Sequence, residues 1–126
     1  MKDFKKYYVV AASPEEIYLA LTNPLTIRLW SGDEAEMSEE PGAEFALWDG
    51  SISGRNIEFE KNRKIVQQWY FGEQEEPSVV TIKLHPQDKD TSVEVKHTNI
   101  PDQDYEDIVD GWDNIYMASL IEFYED

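Results

Sequence analysis

The feature that most constrains the fold is a change of hydrophobic period along the chain. Between residues 33 and 98, apolar and polar residues alternate, which is typical of half-buried β-strands. From residue 102 onward, apolar residues recur at steps of three and four, the spacing of one face of an amphipathic helix. A sheet with one apolar face and a helix with one apolar stripe each need a cover. The sequence therefore predicts that the sheet packs against this helix.

Turn signals divide the alternating region into strands. Pro41-Gly42 and Asp49-Gly50 are strong turn pairs, and Asn62-Arg63 is a third. Short strands joined by such turns indicate an antiparallel sheet. The predicted strands, including a first one rich in β-branched and aromatic residues, are residues 4–11, 44–48, 51–60, 64–71, 78–85 and 91–98. The residues expected to share the inner face are Ile57 and Phe59; Val80, Ile82 and Leu84; and Val93, Val95 and His97.

Two helix-start signals follow the first strand. Ser13 is an N-cap before Pro14, and Glu16 closes a capping box. The pair Asn23-Pro24 repeats the pattern, and Ser31-Gly32 ends the second short helix. The last segment is predicted as one helix of about five turns. Its apolar stripe consists of Tyr105, Ile108, Val109, Trp112, Tyr116, Leu120 and Phe123.

These elements predict an α+β fold. A curved antiparallel sheet of about six or seven strands is expected to wrap around the long C-terminal helix, with two short helices after strand 1. The chain of 126 residues is expected to form one domain, residues 1–126.

A set of short phrases occurs in a fixed order along the chain. The phrases are ASPEEIYLALTNP at residues 12–24, Leu29-Trp30, Pro41-Gly42, FALWDG at 45–50, IVQQW at 65–69, Lys96-His97-Thr98 and Gly111-Trp112. In this order they resemble the activator-of-heat-shock-protein-90-ATPase homologues, which belong to the START-like (SRPBCC) helix-grip superfamily. The resemblance covers essentially the whole chain and implies the helix-grip fold.

The resemblance also implies a cavity between the sheet and the long helix, because helix-grip domains often hold an apolar small molecule or lipid there. The residues expected to line it are Trp30, Phe45, Leu47, Ile57, Phe59, Trp69, Ile82, Val95, His97, Trp112 and Tyr116. The alternative is that these side chains simply fill the core. Trp and Tyr carry hydrogen-bonding groups, which favours a partly polar interior.

His97 is the titratable residue of greatest interest. On the inner face it would bind a ligand carbonyl or act as an acid or base; alternatively, a neighbouring tyrosine or carboxylate satisfies it. Arg55 and His97 are the pair that a polyketide cyclase-like activity would use. The sequence contains no Ser–His–Asp arrangement, glycine-rich phosphate loop or paired-histidine zinc motif. A non-enzymatic binding module is therefore expected, with no catalytic residue, metal or cofactor.

Charge restricts the partners. The chain has 27 Asp and Glu against 11 Lys and Arg, a formal net charge of −16. Such a surface repels nucleic acids and anionic membranes and favours a monomer. The acidic runs at residues 34–40 and 73–76 are expected to be solvated surface or a contact for a protein with a basic patch. The second functional hypothesis is therefore a co-factor of a heat-shock-protein-90-type chaperone, or another protein-interaction domain.

The cellular location is predicted from residue types and segments that the sequence lacks. Without cysteine there is no disulfide or thiolate site. No apolar run approaches the ~20 residues that span a bilayer, and the N-terminus lacks a signal-peptide core, so a cytoplasmic location is expected. Eukaryotic activators of the resembled family have a separate N-terminal domain that contacts the chaperone, and these 126 residues contain no counterpart.

Overall fold

A single curved antiparallel sheet dominates the computed structural model, which describes residues 1–72, 74 and 76–125. Its six strands are β1 (Lys2–Val10), β2 (Glu44–Leu47), β3 (Ile52–Glu60), β4 (Lys64–Trp69), β5 (Ser78–Gln87) and β6 (Asp90–Ile100). The order across the sheet is β1-β6-β5-β4-β3-β2. Strands β2 to β6 form a meander of consecutive neighbours, and β1 pairs with β6 at one edge. The predicted strands and the α+β class are confirmed.

The two short helices begin and end where the cap residues predict. Helix α1 (Pro14–Thr22) starts at Ser13, whose hydroxyl accepts a hydrogen bond from the Glu16 amide at 3.2 Å. Helix α2 (Pro24–Ser31) starts at Asn23 and ends at Gly32, which adopts a left-handed φ of 78°. The Glu16 carboxylate accepts from the Ser13 hydroxyl itself, so the reciprocal bond of the capping box joins the two side chains.

The C-terminal helix contains an extra residue in its middle. It runs as a 3-10 turn (Asp102–Asp104), α3 (Tyr105–Gly111), a π-helical turn (Trp112–Tyr116) and α4 (Met117–Tyr124). One inserted residue rotates everything after it by about 100° about the helix axis. After this turn Met117 and Leu120 are buried, whereas Phe123 is 41% exposed. The prediction that Phe123 continues the buried stripe is wrong, since in α4 the packed face runs through Met117, Leu120 and Tyr124.

A second irregularity places one predicted inner-face residue on the outer face of the sheet. The pairing of β3 with β4 shifts register between Asn56 and Glu58, which is a β-bulge at Ile57. The bulge turns Ile57 outward, with 40% of its surface exposed, while Asn56 is buried. Phe59, beyond the bulge, packs against the core. The inner-face prediction is therefore wrong for Ile57.

The helix lies against the concave face of the sheet and is tied to β1. The Tyr8 hydroxyl and the Lys6 ammonium donate to Asp113 at 2.7 and 2.9 Å. These bonds, that of Lys6 first, hold the pKa of the Asp113 carboxyl below its usual range. Among the described residues, no helix has both the length and the hydropathy that crossing a membrane requires.

Candidate functional site

An open cleft of about 320 Å³ lies at one end of the contact between sheet and helix. Its walls come from the β2–β3 turn, the end of β4, the loop after α2 and the C-terminal helix. The lining residues are Asp33, Trp48, Ser51, Ile52, Trp69, Asp107, Ile108, Gly111, Trp112, Ile115 and Tyr116. The walls are mostly apolar with a few polar groups, the usual character of a small-molecule site.

Trp48 reaches the cleft from a tight turn with unusual backbone geometry. Trp48 and Asp49 have φ angles of 49° and 53°, and the Gly50 amide donates to the Leu47 carbonyl at 3.2 Å. Left-handed backbone at a bulky residue is uncommon and costs about 1–3 kcal/mol. This turn places the half-buried Trp48 ring 5.4 Å from the Tyr116 ring, centroid to centroid. The surrounding fold therefore holds Trp48 in a strained position at the cleft.

The helix wall is formed around the π-helical turn. There the Met117 amide donates to the Trp112 carbonyl, five residues back. Such turns are rare and often occur at functional sites. Gly111 precedes the turn, and a Cβ built on it would meet no atom within 4 Å. The glycine therefore leaves open space beside the cleft.

An aromatic cluster closes the inner end of the cleft. Trp69 and Trp112 stack with centroids 4.9 Å apart, and the Trp112 and Tyr116 rings are 4.6 Å apart. Trp30 and Trp48 meet edge to face at 5.6 Å, so all four tryptophans of the chain belong to this cluster.

The Tyr116 hydroxyl differs from the polar groups deeper in the protein. Tyr116 is only 4% exposed and lines the cleft. Burial raises the pKa of its phenol, so the hydroxyl stays protonated at neutral pH. In the part of the chain that the structure describes, this hydroxyl forms no hydrogen bond with another residue. Within the described residues it is therefore available to a ligand in the cleft.

His97, in contrast, is fully satisfied. Its Nε2 lies 2.8 Å from the Ser78 hydroxyl, which donates to the Thr98 carbonyl, and its Nδ1 accepts from Trp112 Nε1 at 3.1 Å. This pattern assigns the proton to Nε2. Burial lowers the pKa of His97 to about 4, with a small opposing effect of Asp3. The satisfied alternative is the one observed, but the partners are a serine and a tryptophan.

The cyclase-like pair is not assembled. Arg55 is exposed on the outer face of β3 and contacts Gln68, whereas His97 is buried on the inner face of β6. The two side chains therefore lie on opposite sides of the sheet.

Three of the predicted lining residues do line the cleft, and the others lie behind or beside it. Trp69, Trp112 and Tyr116 line it. Trp30 packs behind Trp48, and Ile57 points to solvent. The remaining predicted lining residues are buried in the core or packed against it: Phe45, Leu47, Phe59, Ile82, Val95 and His97.

The sequence reasoning missed part of the lining, although signals for it existed. The Asp49-Gly50 turn adjoins Trp48, so the turn itself pointed to an aromatic residue at the hairpin tip. Ile108, Trp112 and Ile115 follow helical spacing, which predicts that they share one face. No sequence pattern predicts that Asp33, Ser51 and Asp107 line the cleft. Their position there depends on how the loop and the helix meet in the folded chain.

The rim of the cleft is negatively charged. Asp33 and Asp107 line it and are solvent-exposed. Neither carboxylate forms an ion pair with a lysine or arginine among the described residues. The described lining also contains no Lys, Arg or His. The cleft therefore combines aromatic walls, the hydroxyls of Ser51 and Tyr116, and two carboxylates.

Known proteins with similar sequences carry chaperone-related names. The chain is 32% identical over 103 residues to an activator of 90 kDa heat shock protein ATPase homolog of Dictyostelium discoideum, covering 79% of this chain and 27% of the relative. It is 31% identical over 71 residues to homolog 2 of Mus musculus, covering 56% of this chain and 22% of the relative. The chain thus spans about a quarter of the length of these curated relatives.

Solved structures extend the comparison. An HSP90 activator from Plasmodium falciparum superimposes with a TM-score of 0.83 at 28% identity, covering 94% of this chain and 92% of that one. The Aha1 dimer from Colwellia psychrerythraea gives a TM-score of 0.83 at 19% identity, covering 99% and 97%, and supports the fold alone. The family model described as Activator of Hsp90 ATPase homolog 1-like protein matches residues 11–125. The chain therefore belongs to the Activator of Hsp90 ATPase homolog 1-like family and has its helix-grip fold.

Proposed function

We propose that the chain is a non-enzymatic binding module whose cleft holds the apolar part of a small molecule. The observation that carries this proposal is the cleft of about 320 Å³ between sheet and helix, with walls of Trp48, Trp112 and Ile115. Its volume lies at the lower end of the usual range for ligand sites. The ligand is therefore a small molecule or one branch of a larger one.

The titratable groups favour binding over catalysis. A general base must be deprotonated and within reach of the substrate. The raised pKa of Tyr116 keeps its phenol protonated, and both ring nitrogens of His97 are already hydrogen-bonded. Asp33 and Asp107 are exposed carboxylates at the rim of the cleft, with no titratable partner in hydrogen-bond contact among the described residues. None of these groups has the environment of a tuned catalytic residue.

Gly111 gives independent support. Glycine inside a helix is less favourable than alanine by about 1 kcal/mol. No steric conflict excludes alanine at this position, because a Cβ would have open space around it. A ligand that occupies this space would explain why the helix has glycine at this position.

The test is to fill the space and measure binding. All four tryptophans belong to the cluster at the cleft, so intrinsic fluorescence reports directly on occupancy. Gly111→Leu places a side chain beside the cleft, and Glu106→Leu is a control on the exposed face of the same helix. We expect 2-phenylethanol to change the fluorescence of the parent and the control saturably, and Gly111→Leu to reduce its affinity by about tenfold or more.

Native mass spectrometry of the purified protein provides the second readout. A small molecule that is released on denaturation supports the proposal. Equal affinity of the parent and Gly111→Leu for every apolar probe that binds, with no co-purified molecule, would exclude the cleft as a binding site.

A second candidate function is association with an Hsp90-type chaperone. The names of the Dictyostelium and mouse relatives favour it, and the Plasmodium structure is described as an HSP90 activator. Helix α2 offers an apolar contact, since Leu25 and Leu29 lie one turn apart and are 67% and 70% exposed. The acidic run at residues 34–40 follows this helix; Glu73 and Glu75, in the second acidic run, lie outside the described residues.

Direct binding to a purified Hsp90-type chaperone tests this candidate. We expect a complex that weakens as salt is added, a change in the ATPase rate, and loss of both in the double variant Leu25→Ser/Leu29→Ser. Leu19→Ser, also at an exposed leucine, is the control on α1. Absence of a complex at low salt contradicts this function and leaves the cleft proposal intact.

The monomeric state and cytoplasmic location remain predictions. The Colwellia structure is described as a dimer, and at 19% identity it supports the fold alone. Light scattering of the purified chain measures its mass directly.

A further inference from the structure

We infer that the cleft binds an organic ammonium cation that carries a small aromatic or apolar body. This inference rests on the proposed function, since it assigns the chemical class of the ligand to the same cleft. It combines three features of the lining: a one-signed charge, aromatic walls and a hydroxyl without a partner.

Charge at the rim selects the sign of the ligand. Asp33 and Asp107 approach the cleft from two different elements, the loop after α2 and the helix α3. Among the described residues, no lysine or arginine neutralises either one through an ion pair. One oxygen of Asp33 accepts from the Glu34 amide at 3.2 Å, which leaves its other oxygen for a ligand. An anionic ligand would meet repulsion at both carboxylates and no compensating base.

Aromatic rings favour the same charge. Cations are attracted to the faces of Trp and Tyr rings, and the attraction strengthens as the site excludes water. Trp48 and Tyr116 lie 5.4 Å apart with their planes inclined at 55°, so they bound two sides of a concave aromatic surface. Trp112 continues this surface, with its centroid 4.6 Å from that of Tyr116. The apolar body of the ligand fits against Ile52, Ile108 and Ile115, which complete the lining.

The Tyr116 hydroxyl supplies a directional contact. It is nearly buried, lines the cleft and has no hydrogen-bond partner among the described residues. An ammonium N–H can donate to the phenol oxygen, which accepts no hydrogen bond from another described residue. A quaternary ammonium lacks the N–H and gains only the cation–π and charge contributions. We therefore expect a protonated amine to exploit the site more fully.

Backbone strain at Trp48 agrees with a binding role. Its φ of 49° is uncommon for a bulky side chain. The turn does not require tryptophan there, since Asn or Gly adopts this conformation more easily. The ring instead completes the aromatic surface opposite Tyr116. Strained residues at clefts commonly mark binding sites.

The experiment uses three soluble probes of similar shape and different charge: phenethylammonium, 2-phenylethanol and phenylacetate. Tryptophan fluorescence and calorimetry measure the affinity of each for the full chain. We expect phenethylammonium to bind about tenfold more tightly than 2-phenylethanol, and phenylacetate to bind most weakly. Added salt should weaken phenethylammonium binding and leave 2-phenylethanol binding unchanged.

Variants assign the preference to the named groups. Asp33→Asn and Asp107→Asn are each expected to lower phenethylammonium affinity by about two- to fivefold with no change for 2-phenylethanol. Tyr116→Phe should reduce the advantage of phenethylammonium over its trimethylated analogue. Glu106→Gln removes one charge from the exposed surface beside Asp107 and is the matched control, for which no change is expected.

The outcomes separate the two proposals. Equal binding of phenethylammonium and 2-phenylethanol, or a preference that survives both Asp→Asn changes together, overturns the cation inference and leaves the apolar cleft in place. If no probe binds to the parent chain, both proposals fail.

Discussion

The two ends of the aromatic cluster treat their polar groups in opposite ways. At the inner end, His97 bonds to Ser78 and Trp112, and every hydrogen-bonding atom of the imidazole is used. At the outer end, Tyr116 is 4% exposed and lines the cleft, and its hydroxyl forms no hydrogen bond with another described residue. Trp112 joins the two ends, because its N–H bonds to His97 while its ring lines the cleft.

The contrast separates structural from binding groups more clearly than residue type does. A histidine attracts attention as a catalytic or ligand-binding group, yet here it completes the core. Unpaired buried polar atoms are rare because leaving them unpaired costs about 1–3 kcal/mol. The inner end is therefore expected to determine stability, and the outer end to determine binding. The following predictions test this division, beginning with the largest effect.

His97→Ala is expected to lower the free energy of unfolding by about 3 kcal/mol or more. The change leaves a cavity, removes one of the two partners of the Ser78 hydroxyl and removes the partner of the Trp112 N–H. Denaturant unfolding monitored by circular dichroism measures this effect. A loss below about 1 kcal/mol would show that the inner end is not the structural one.

Lowering the pH is expected to reduce the free energy of unfolding by up to about 3 kcal/mol, because His97 becomes protonated. The pKa of His97 falls from 6.5 to about 4 on folding, so the unfolded chain binds more protons between these values. Stability from this source is complete above pH 6.5 and is lost as the pH falls toward 4.

The measurement is the free energy of unfolding between pH 4 and 7, compared with His97→Gln, which cannot titrate. The parent should lose more stability than the variant over this interval. An NMR titration of His97, with the exposed His85 in the same spectrum, tests the cause. A His97 resonance that titrates near pH 6.5 contradicts the prediction.

Gly111→Ala is expected to raise the free energy of unfolding by up to about 1 kcal/mol, because it removes backbone freedom from the unfolded chain at a helical position without a steric conflict. Thermal unfolding measures the gain. If alanine destabilises the protein, the space beside Gly111 is not free, and the glycine has a packing reason instead.

Tyr116→Phe is expected to change the free energy of unfolding by less than about 0.5 kcal/mol, despite the burial of the residue. Its hydroxyl makes no hydrogen bond among the described residues that the variant could lose. A destabilisation of about 1 kcal/mol or more would reveal a structural hydrogen bond and weaken the contrast between the two ends.

Much of the fold was predictable because local signals agreed with the global arrangement. The Ser13 and Asn23 caps, the turn glycines and the alternation along β5 and β6 each acted within a few residues. One error occurred at Phe123, which lies beside the packed face of α4, and the other at Ile57, which is the extra residue of a β-bulge. One extra residue changes which face every later side chain occupies, and period counting assumes that no residue is inserted.

The candidate site was predictable only in part. Trp69, Trp112 and Tyr116 were expected from the inner-face pattern and do line the cleft. Trp48 was missed because its direction depends on the left-handed turn, and Asp33 because its loop meets the helix only in the folded chain.

The sequence by itself determined the element order, the helix starts, the turns and the strongly acidic surface, since each depends on the residue types present or on neighbours along the chain. Only the tertiary structure decided which buried polar groups are paired. His97 and Tyr116 are both buried beside Trp112, yet Ser78 reaches one and no described residue reaches the other. Hydrogen bonding requires atoms about 3 Å apart, and distances between residues far apart in the sequence are set by packing.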